Sequence, residues 1–305
     1  MKENLKQIAE KARAAGGGAE GFELLPEESL SAYTSFCTGG KATVLLPGTE
    51  AALLFFVPRL AAAGIPVFLL GAGTNVLARD EGYNGVILCT KKLRGVERKG
   101  NTLVAAAGEG ITHLAAVARQ NALSGLEFAY GIPGSVGGAI YMNAGAYDGE
   151  VSAAVQSVRA FFPDRGVVEM PASECGFGYR ESAFQKNGGI VLSAAFSLRP
   201  GDPEAIGSMM EDLMGRRREK QPLEYPSAGS TFKRYPGTFT AKLIDEAGLK
   251  GKRVGGAMVS EKHAGFIINY DRATSRDILD LVALVQKTIY EKNGIRIEKE
   301  IRIIE

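Results

Sequence analysis

The chain has 305 residues, 36 basic against 34 acidic side chains, a formal net charge of +2 and 45% hydrophobic residues. That balance leaves no excess charge to drive binding to nucleic acid or an anionic membrane. At about 100–200 residues per domain the length predicts one large domain or two to three smaller ones, with enough core to need no disulfide or metal. The three cysteines, Cys37, Cys89 and Cys175, are odd in number and far apart. They argue against a disulfide framework and a thiolate zinc site, and no metal is expected; Cys37 is expected to be a small buried residue.

The N-terminus mixes charges in an amphipathic pattern and lacks a continuous apolar run, so no signal peptide is read. Ala51–Gly73 is the most apolar stretch, but Pro58-Arg59 and Gly64-Ile65-Pro66 interrupt it. A helix followed by a strand fits it better than a membrane span, and a cytoplasmic location is expected. Ala42–Pro47 reads as a strand, Glu50–Ala63 as a helix, Pro66–Leu70 and Gly85–Leu88 as strands, which together suggest a βαβ unit. Thr112–Ala122 has helical spacing. Gln156–Phe162 and Ile190–Leu198 are apolar runs between glycine-rich turns, giving an α+β texture. At Gly201-Asp202-Pro203, Asp202 can cap a helix whose apolar stripe is Ile206, Met209, Met210 and Leu213. Ser275 is expected to cap a last helix with Ile278, Leu281, Val282, Val285 and Ile289 on one side, stopped at Asn293-Gly294. The terminal IRIEKEIRII alternates strictly. Its pattern predicts a strand with Ile295, Ile297, Ile301 and Ile303 toward a core and Arg296, Glu298, Glu300 and Arg302 on the other face.

Several clusters could carry chemistry. Gly71-Ala72-Gly73-Thr74-Asn75 follows a buried strand, and its successive N–H groups could form an anion-binding nest or simply a tight turn. It is not a GxGxxG fingerprint, since position 76 is Val76. Gly131–Tyr147 holds Gly131, Gly134, Gly137, Gly138 and Gly145. Two such loops point either to a large anionic cofactor, such as a dinucleotide or flavin, or to structural turns. Arg180, after Tyr179, could grip a carboxylate or sit in an ordinary surface ion pair. Small residues around Ser230 would expose its hydroxyl before a helix over Thr240–Ala247, or Ser230 is a turn residue. With His113 and His263 the only histidines, a Ser-His-Asp triad has few partners. Glu300 and Arg302 could enter a pocket together, or belong to a solvated edge strand. Arg216-Arg217-Arg218 with Lys220 is a solvated helix end or a pyrophosphate grip.

In order along the chain, TSFCTGGKA, LGAGTNVL, GLEFAYGIPGSVGGAIYMNAGAY, CGFGYRESAF, QPLEYPSAGSTFK, LIDEAGLKG, GGAMVSEKHAGF and EKEIRII resemble the UDP-N-acetylenolpyruvoylglucosamine reductase family. The likeness runs from about Thr34 to Ile304 and is closest to the second type of that family. It implies an α+β FAD-binding fold of the vanillyl-alcohol-oxidase type in two subdomains, residues 1–75 and 76–200. A substrate-binding domain over 201–292 and a terminal strand over 293–305 would follow. It implies bound FAD and NADPH as co-substrate, reducing the enolpyruvyl ether of a UDP-sugar to a lactyl ether for peptidoglycan synthesis.

The same resemblance places flavin contacts on Gly71, Ala72, Gly73, Thr74, Asn75 and Val76, and on Gly131, Ile132, Pro133, Gly134 and Ser135. Gly138, Ala144, Gly145 and Ile190 are expected nearby. It makes Arg180, Ser230 and Glu300 catalytic, and puts substrate contacts on Tyr147, Tyr179, Lys220, Lys233 and Arg302. Cys37-Thr38 and Arg234 depart from the family pattern, so the backbone of Thr38–Gly40 is carried over but not its side-chain contacts, and no substrate bond is carried over to Arg234. The partner expected is a small molecule, with no nucleic acid or membrane and a monomer favoured. The rival readings are a flavin oxidase of the same wider fold and a non-catalytic UDP-sugar binding protein.

Overall fold

A computed structural model describes all 305 residues. The chain divides into two compact units, one of Met1–Pro26, Thr43–Ala72 and Gly85–Gly215, the other of Glu27–Ala42, Gly73–Asn84 and Arg216–Glu305.

In the first unit, strands Lys41–Pro47 and Val67–Leu70 both pair in parallel with Val86–Cys89. Helix Glu50–Ala62 connects these two strands, which flank Val86–Cys89, and this is the βαβ unit the sequence pattern predicts. Thr49 caps this helix, accepting the Ala52 N–H at 3.1 Å, and Leu53, Phe56, Val57 and Leu60 are its buried face. Phe22–Ser29 joins as the outer strand. It was not legible in the sequence because Pro26 breaks the strand signal, a residue tolerated at a sheet edge. A second sheet is antiparallel throughout, in the order Gly166–Pro171, Val155–Phe162, Ile190–Ser197, Thr102–Ala106 and Val96–Lys99. Helices Ile111–Gln120 and Val136–Met142 cover it, burying Ile111, Leu114, Ala118, Val136 and Ile140 in one apolar core with Leu103, Val158 and Phe196.

Glu109, a buried carboxylate, sits where this core meets a turn. It accepts the N–H of Gly110 at 2.9 Å and of Gly95 at 3.1 Å, and its Oε1 lies 3.0 Å from His113 Nδ1. Burial on its own raises its pKa, but these donors outweigh burial and hold the carboxyl below its ordinary value. A depressed carboxylate stabilises the fold above the unfolded-state pKa, and that stability is lost as pH falls through the folded-state value. Glu109→Gln is therefore expected to lower Tm at neutral pH and to flatten the fall of Tm between about pH 6 and about pH 3. Thermal unfolding across pH checks this; an unchanged acid slope would contradict it.

In the second unit, strands Arg253–Val254, Ala257–Val259 and Ile267–Asn269 form an antiparallel sheet covered by helix Ser275–Asn293. Ile278, Leu281, Val282, Val285 and Ile289 are the buried stripe of that helix, as the pattern predicts. Its cap is Thr274, not Ser275. Thr274 accepts the Asp277 N–H at 3.1 Å, and Asp277 returns a bond to the Thr274 N–H at 2.9 Å. Ser275 instead turns inward to Asp80, which accepts its N–H at 2.7 Å and its hydroxyl at 2.8 Å. Strand Arg302–Ile304 pairs in parallel with Val76–Ala78.

Two periodicity readings fail locally. In helix Pro203–Lys220, Ile206, Met210 and Leu213 are buried, but Met209 is 55% exposed. Met209 adjoins Met210 at 100° around the helix, so only one of the pair fits a narrow apolar stripe. Asp202 does cap that helix, accepting the N–H groups of Glu204 and Ala205 at 3.3 and 3.1 Å. The terminal segment is not one continuous strand: Ile297, Ile301 and Ile304 are buried while Ile303 is only partly so. The alternation breaks where the chain leaves the antiparallel contact at Lys299 and enters the parallel pairing at Arg302. No helix is long and apolar enough to cross a membrane.

Candidate active site

The first glycine loop begins where strand Val67–Leu70 ends. A Cβ at Gly71 would overlap the Ser135 hydroxyl oxygen and lie 3.9 Å from the Gly138 N. Gly71 of the first loop therefore abuts the second glycine loop inside the first unit, and only hydrogen at residue 71 lets it do so. The floor beneath them is fixed by polar contacts. Cys89 Sγ lies 3.7 Å from the Gly71 carbonyl, Val136 donates to the Glu109 carbonyl at 2.7 Å, and the Gly131 N–H donates to Thr112 Oγ1 at 3.2 Å. Ser135 is buried and accepts the Gly138 N–H at 3.3 Å, so part of its role is local. Gly71 and Gly131–Gly134 remain partly open to solvent.

Gly73 lies in the second unit at φ 72°, and a Cβ there would overlap the carbonyl oxygen of Tyr33. Ser35 donates its N–H to the Gly73 carbonyl at 3.0 Å. Thr38 and Gly40 follow the same run, with Gly40 N donating to the Arg79 carbonyl at 2.8 Å. The backbone of Thr34–Gly40 is thus seated on Gly73–Arg79. Cys37 is exposed at φ 57°, contrary to the expectation of a buried residue, because it forms the outward tip of this turn. Glycine loops packed so closely that Gly71 and Gly73 admit no Cβ are of the kind that fits a large anionic cofactor such as FAD. Gly73→Ala is expected to abolish FAD retention, since the left-handed φ and the Tyr33 carbonyl both exclude a side chain. Flavin absorbance after gel filtration checks it; a fully loaded variant would contradict it.

Tyr179 and Arg180 are the central residues of a tight turn closed by paired bonds between Gly178 and Glu181, 3.0 and 3.1 Å. Arg180 stands at φ 56°, the position of such a turn that favours glycine. Its guanidinium donates to the Gly145 carbonyl at 3.1 Å and lies 5.3 Å from the Tyr179 ring, itself half exposed. Two residues not singled out in the sequence hold this turn. Gln185 donates to the carbonyls of Arg180 and Tyr141 at 2.9 and 2.8 Å. Asn143, fully buried and left-handed at the end of helix Val136–Met142, donates to the Gly178 carbonyl at 2.9 Å and accepts the Ser152 N–H at 3.1 Å. An Asn preceding Ala-Gly at a helix end is the signal that could have found it. Ala144 and Tyr141 border the same core, Tyr147 is exposed at φ 51°, and Ile190 is buried in its strand opposite Phe161.

Within the second unit the segment carrying Ser230 and Lys233 runs beside Glu298–Glu300, while Arg302 pairs with Val76 on another strand. Phe232 and Lys299 form an antiparallel bridge; Glu300 N donates to the Thr231 carbonyl at 2.9 Å, and Lys233 N donates to the Glu298 carbonyl at 2.9 Å. Ser230 and Glu300 therefore lie on adjacent, oppositely running segments. Thr231 is the weld: fully buried, it donates its N–H to the Gly265 carbonyl at 2.8 Å and accepts the Ile267 N–H on Oγ1 at 3.0 Å. Lys233 Nζ pairs with Glu298 at 3.2 Å. Lys220 ends helix Pro203–Lys220 and is exposed.

The family described as UDP-N-acetylenolpyruvoylglucosamine reductase, C-terminal domain, matches residues 221–304, and the FAD binding domain family matches residues 42–170. A UDP-N-acetylenolpyruvoylglucosamine reductase of Clostridium novyi is 47% identical over 273 residues, 89% of each chain. One of Caldanaerobacter subterraneus is 46% identical, covering 92% of this chain and 94% of its own. The crystal structure of UDP-N-acetylenolpyruvylglucosamine reductase from Thermus caldophilus superposes with a TM-score of 0.82 at 34% identity, over 93% of this chain and all of that one. The α+β FAD-binding fold expected from the sequence stands. With identity at this level over nine-tenths of its length, the chain belongs to the UDP-N-acetylenolpyruvoylglucosamine reductase family.

Proposed function

We propose that the chain is an FAD-containing, NADPH-dependent reductase that converts the enolpyruvyl ether of UDP-N-acetylglucosamine to the lactyl ether of UDP-N-acetylmuramate in peptidoglycan precursor synthesis. Residues 1–75 and 76–200 hold the flavin, and 201–292 with the returning segment 293–305 holds substrate. The observation that carries the reading is the pairing of the Ser230 and Glu300 segments through Glu300 N and the Thr231 carbonyl, 2.9 Å, in a chain of this family.

FAD, when bound, would supply the two-electron chemistry that couples NADPH oxidation to reduction of the enol ether at its terminal carbon. The residues manage the charge and the proton. Hydride addition leaves negative charge on the neighbouring carbon and in the carboxylate. Arg180, permanently cationic and propped on the Gly145 carbonyl, binds that carboxylate. Glu300 assists a dianionic enolate only when protonated or paired with a cation such as Arg302, two residues on. Ser230 delivers the proton; a carboxylate-derived carbanion is far more basic than an alkoxide, so the transfer runs downhill. Lys233, beside Ser230 in sequence and paired with Glu298, is suited to relay a proton onward. Lys220, Tyr147 and Tyr179 contact the sugar nucleotide. The protein works as a cytoplasmic monomer.

Mass spectrometry of the product tests this: the UDP-sugar gains two hydrogens only when NADPH is supplied. Oxygen consumption with substrate in the absence of NADPH would instead support the oxidase reading, and tight UDP-sugar binding without turnover the binding-protein reading.

A further inference from the structure

Glu300 belongs to neither of the regular elements around it. Helix Ser275–Asn293 ends before it and strand Arg302–Ile304 begins after it. A carboxylate on irregular backbone holds its place only if its own peptide groups are tied. Both are. The Glu300 N–H goes to the Thr231 carbonyl at 2.9 Å, and the Glu300 carbonyl accepts from Asn75 Nδ2 at 3.2 Å. Asn75 grips the same stretch a second time, its carbonyl accepting the Arg302 N–H at 3.0 Å. The parallel ladder of Val76–Ala78 with Arg302–Ile304 stops at this point, and the Asn75 amide adds one bond beyond its end.

We infer that Asn75 is the positioning residue for Glu300. It acts through the Glu300 main chain, and the inference rests on Glu300 having the role proposed above. The chemistry demands an amide. A carboxylate at this site would set an acceptor against the Glu300 carbonyl, and an alanine would take the amide's N–H from that carbonyl and loosen the segment there, while the main-chain bonds to Thr231 and from Arg302 persist. Misplacement of a reacting group by about 1 Å costs on the order of 100-fold. Asn75 lies in the flavin-binding loop, so the fold fixes Glu300 by reference to the cofactor cradle itself. A pure cofactor ligand would need no bond to residue 300.

The test uses the loaded enzyme and its apoprotein, with Asn75→Ala and Asn75→Asp beside Glu300→Gln. Because Asn75 also belongs to the expected flavin loop, FAD is supplied at saturation, and reoxidation by the enolpyruvyl UDP-sugar is expected to slow roughly 10–100-fold more than flavin reduction by NADPH in both Asn75 variants. The inference is overturned if both half-reactions slow equally. It is also overturned if FAD affinity falls while reoxidation at saturating FAD is unchanged. Glu300→Gln separates the two levels. Wild-type reoxidation in that variant would overturn the role of Glu300 itself, whereas slow reoxidation there with fast reoxidation in both Asn75 variants would overturn the positioning role alone.

Discussion

Ser230→Ala is expected to reduce steady-state turnover by about 10²–10⁴-fold, the usual loss on removing a positioned proton donor. Flavin reduction by NADPH should be preserved, because the serine hydroxyl acts on the substrate carbon only. The fold should be preserved as well. Ser230 is partly exposed, and the bonds that fix its segment belong to Thr231: the N–H to Gly265, the carbonyl to Glu300 and the hydroxyl to Ile267. Removing one oxygen from residue 230 leaves all three in place. Stopped-flow absorbance at the flavin band, first with NADPH and then with substrate, separates the steps. Equal loss in both steps would contradict the assignment of Ser230 as donor.

Arg180→Gly is expected to move activity and stability in different directions. Arg180 occupies a left-handed conformation, φ 56°, which costs a non-glycine residue roughly 1–3 kcal/mol unless its surroundings repay it. Glycine adopts that conformation without strain, so Tm should hold or rise even though the 3.1 Å bond to the Gly145 carbonyl is lost. Activity should fall by about 10²–10³-fold, the scale for removing a preorganised donor from a developing anion. Arg180→Lys keeps the charge but not the fork, and it should recover only part of that loss. Calorimetry beside steady-state kinetics checks both halves. A destabilised variant with normal turnover would show the arginine to be a structural residue.

What the sequence revealed of the fold follows from how local its causes are. Helix Glu50–Ala62 and the buried face of Ser275–Asn293 were legible because a run of apolar residues at helical spacing is written within a few residues. The edge strand Phe22–Ser29 was not, since Pro26 erases the strand signal and only its neighbour supplies the pairing. Thr274 and Ser275 are both good capping residues, and the choice fell to Asp80, some 195 positions away, which claims Ser275. The terminal segment shows the same limit. Its alternation is real, but which isoleucines are buried changes where the partner changes from the Phe232 segment to Val76–Ala78.

The site divides along the same line. Gly71, Gly73, Arg180, Ser230 and Glu300 stand out as residue types in unusual company. The residues that aim them do not. Asn143, Gln185 and Thr231 act through hydrogen bonds to main-chain groups, and Asn75, legible only as a member of the glycine loop, bonds the main chain at Glu300 and Arg302; the local sequence does not announce those partners. Arg180 carries a contradiction that sequence alone hides: an arginine where the turn favours glycine. Local strain of that kind at a proposed catalytic group fits the general tendency of functional positions to break local rules.

The most direct measurement is the visible spectrum of the purified protein, followed without oxygen through addition of NADPH and then of the enolpyruvyl UDP-sugar. The account predicts a yellow protein that bleaches with NADPH and recovers its colour with the sugar nucleotide. A protein that stays colourless after incubation with FAD, or one that bleaches and is not recovered by that substrate, would contradict it.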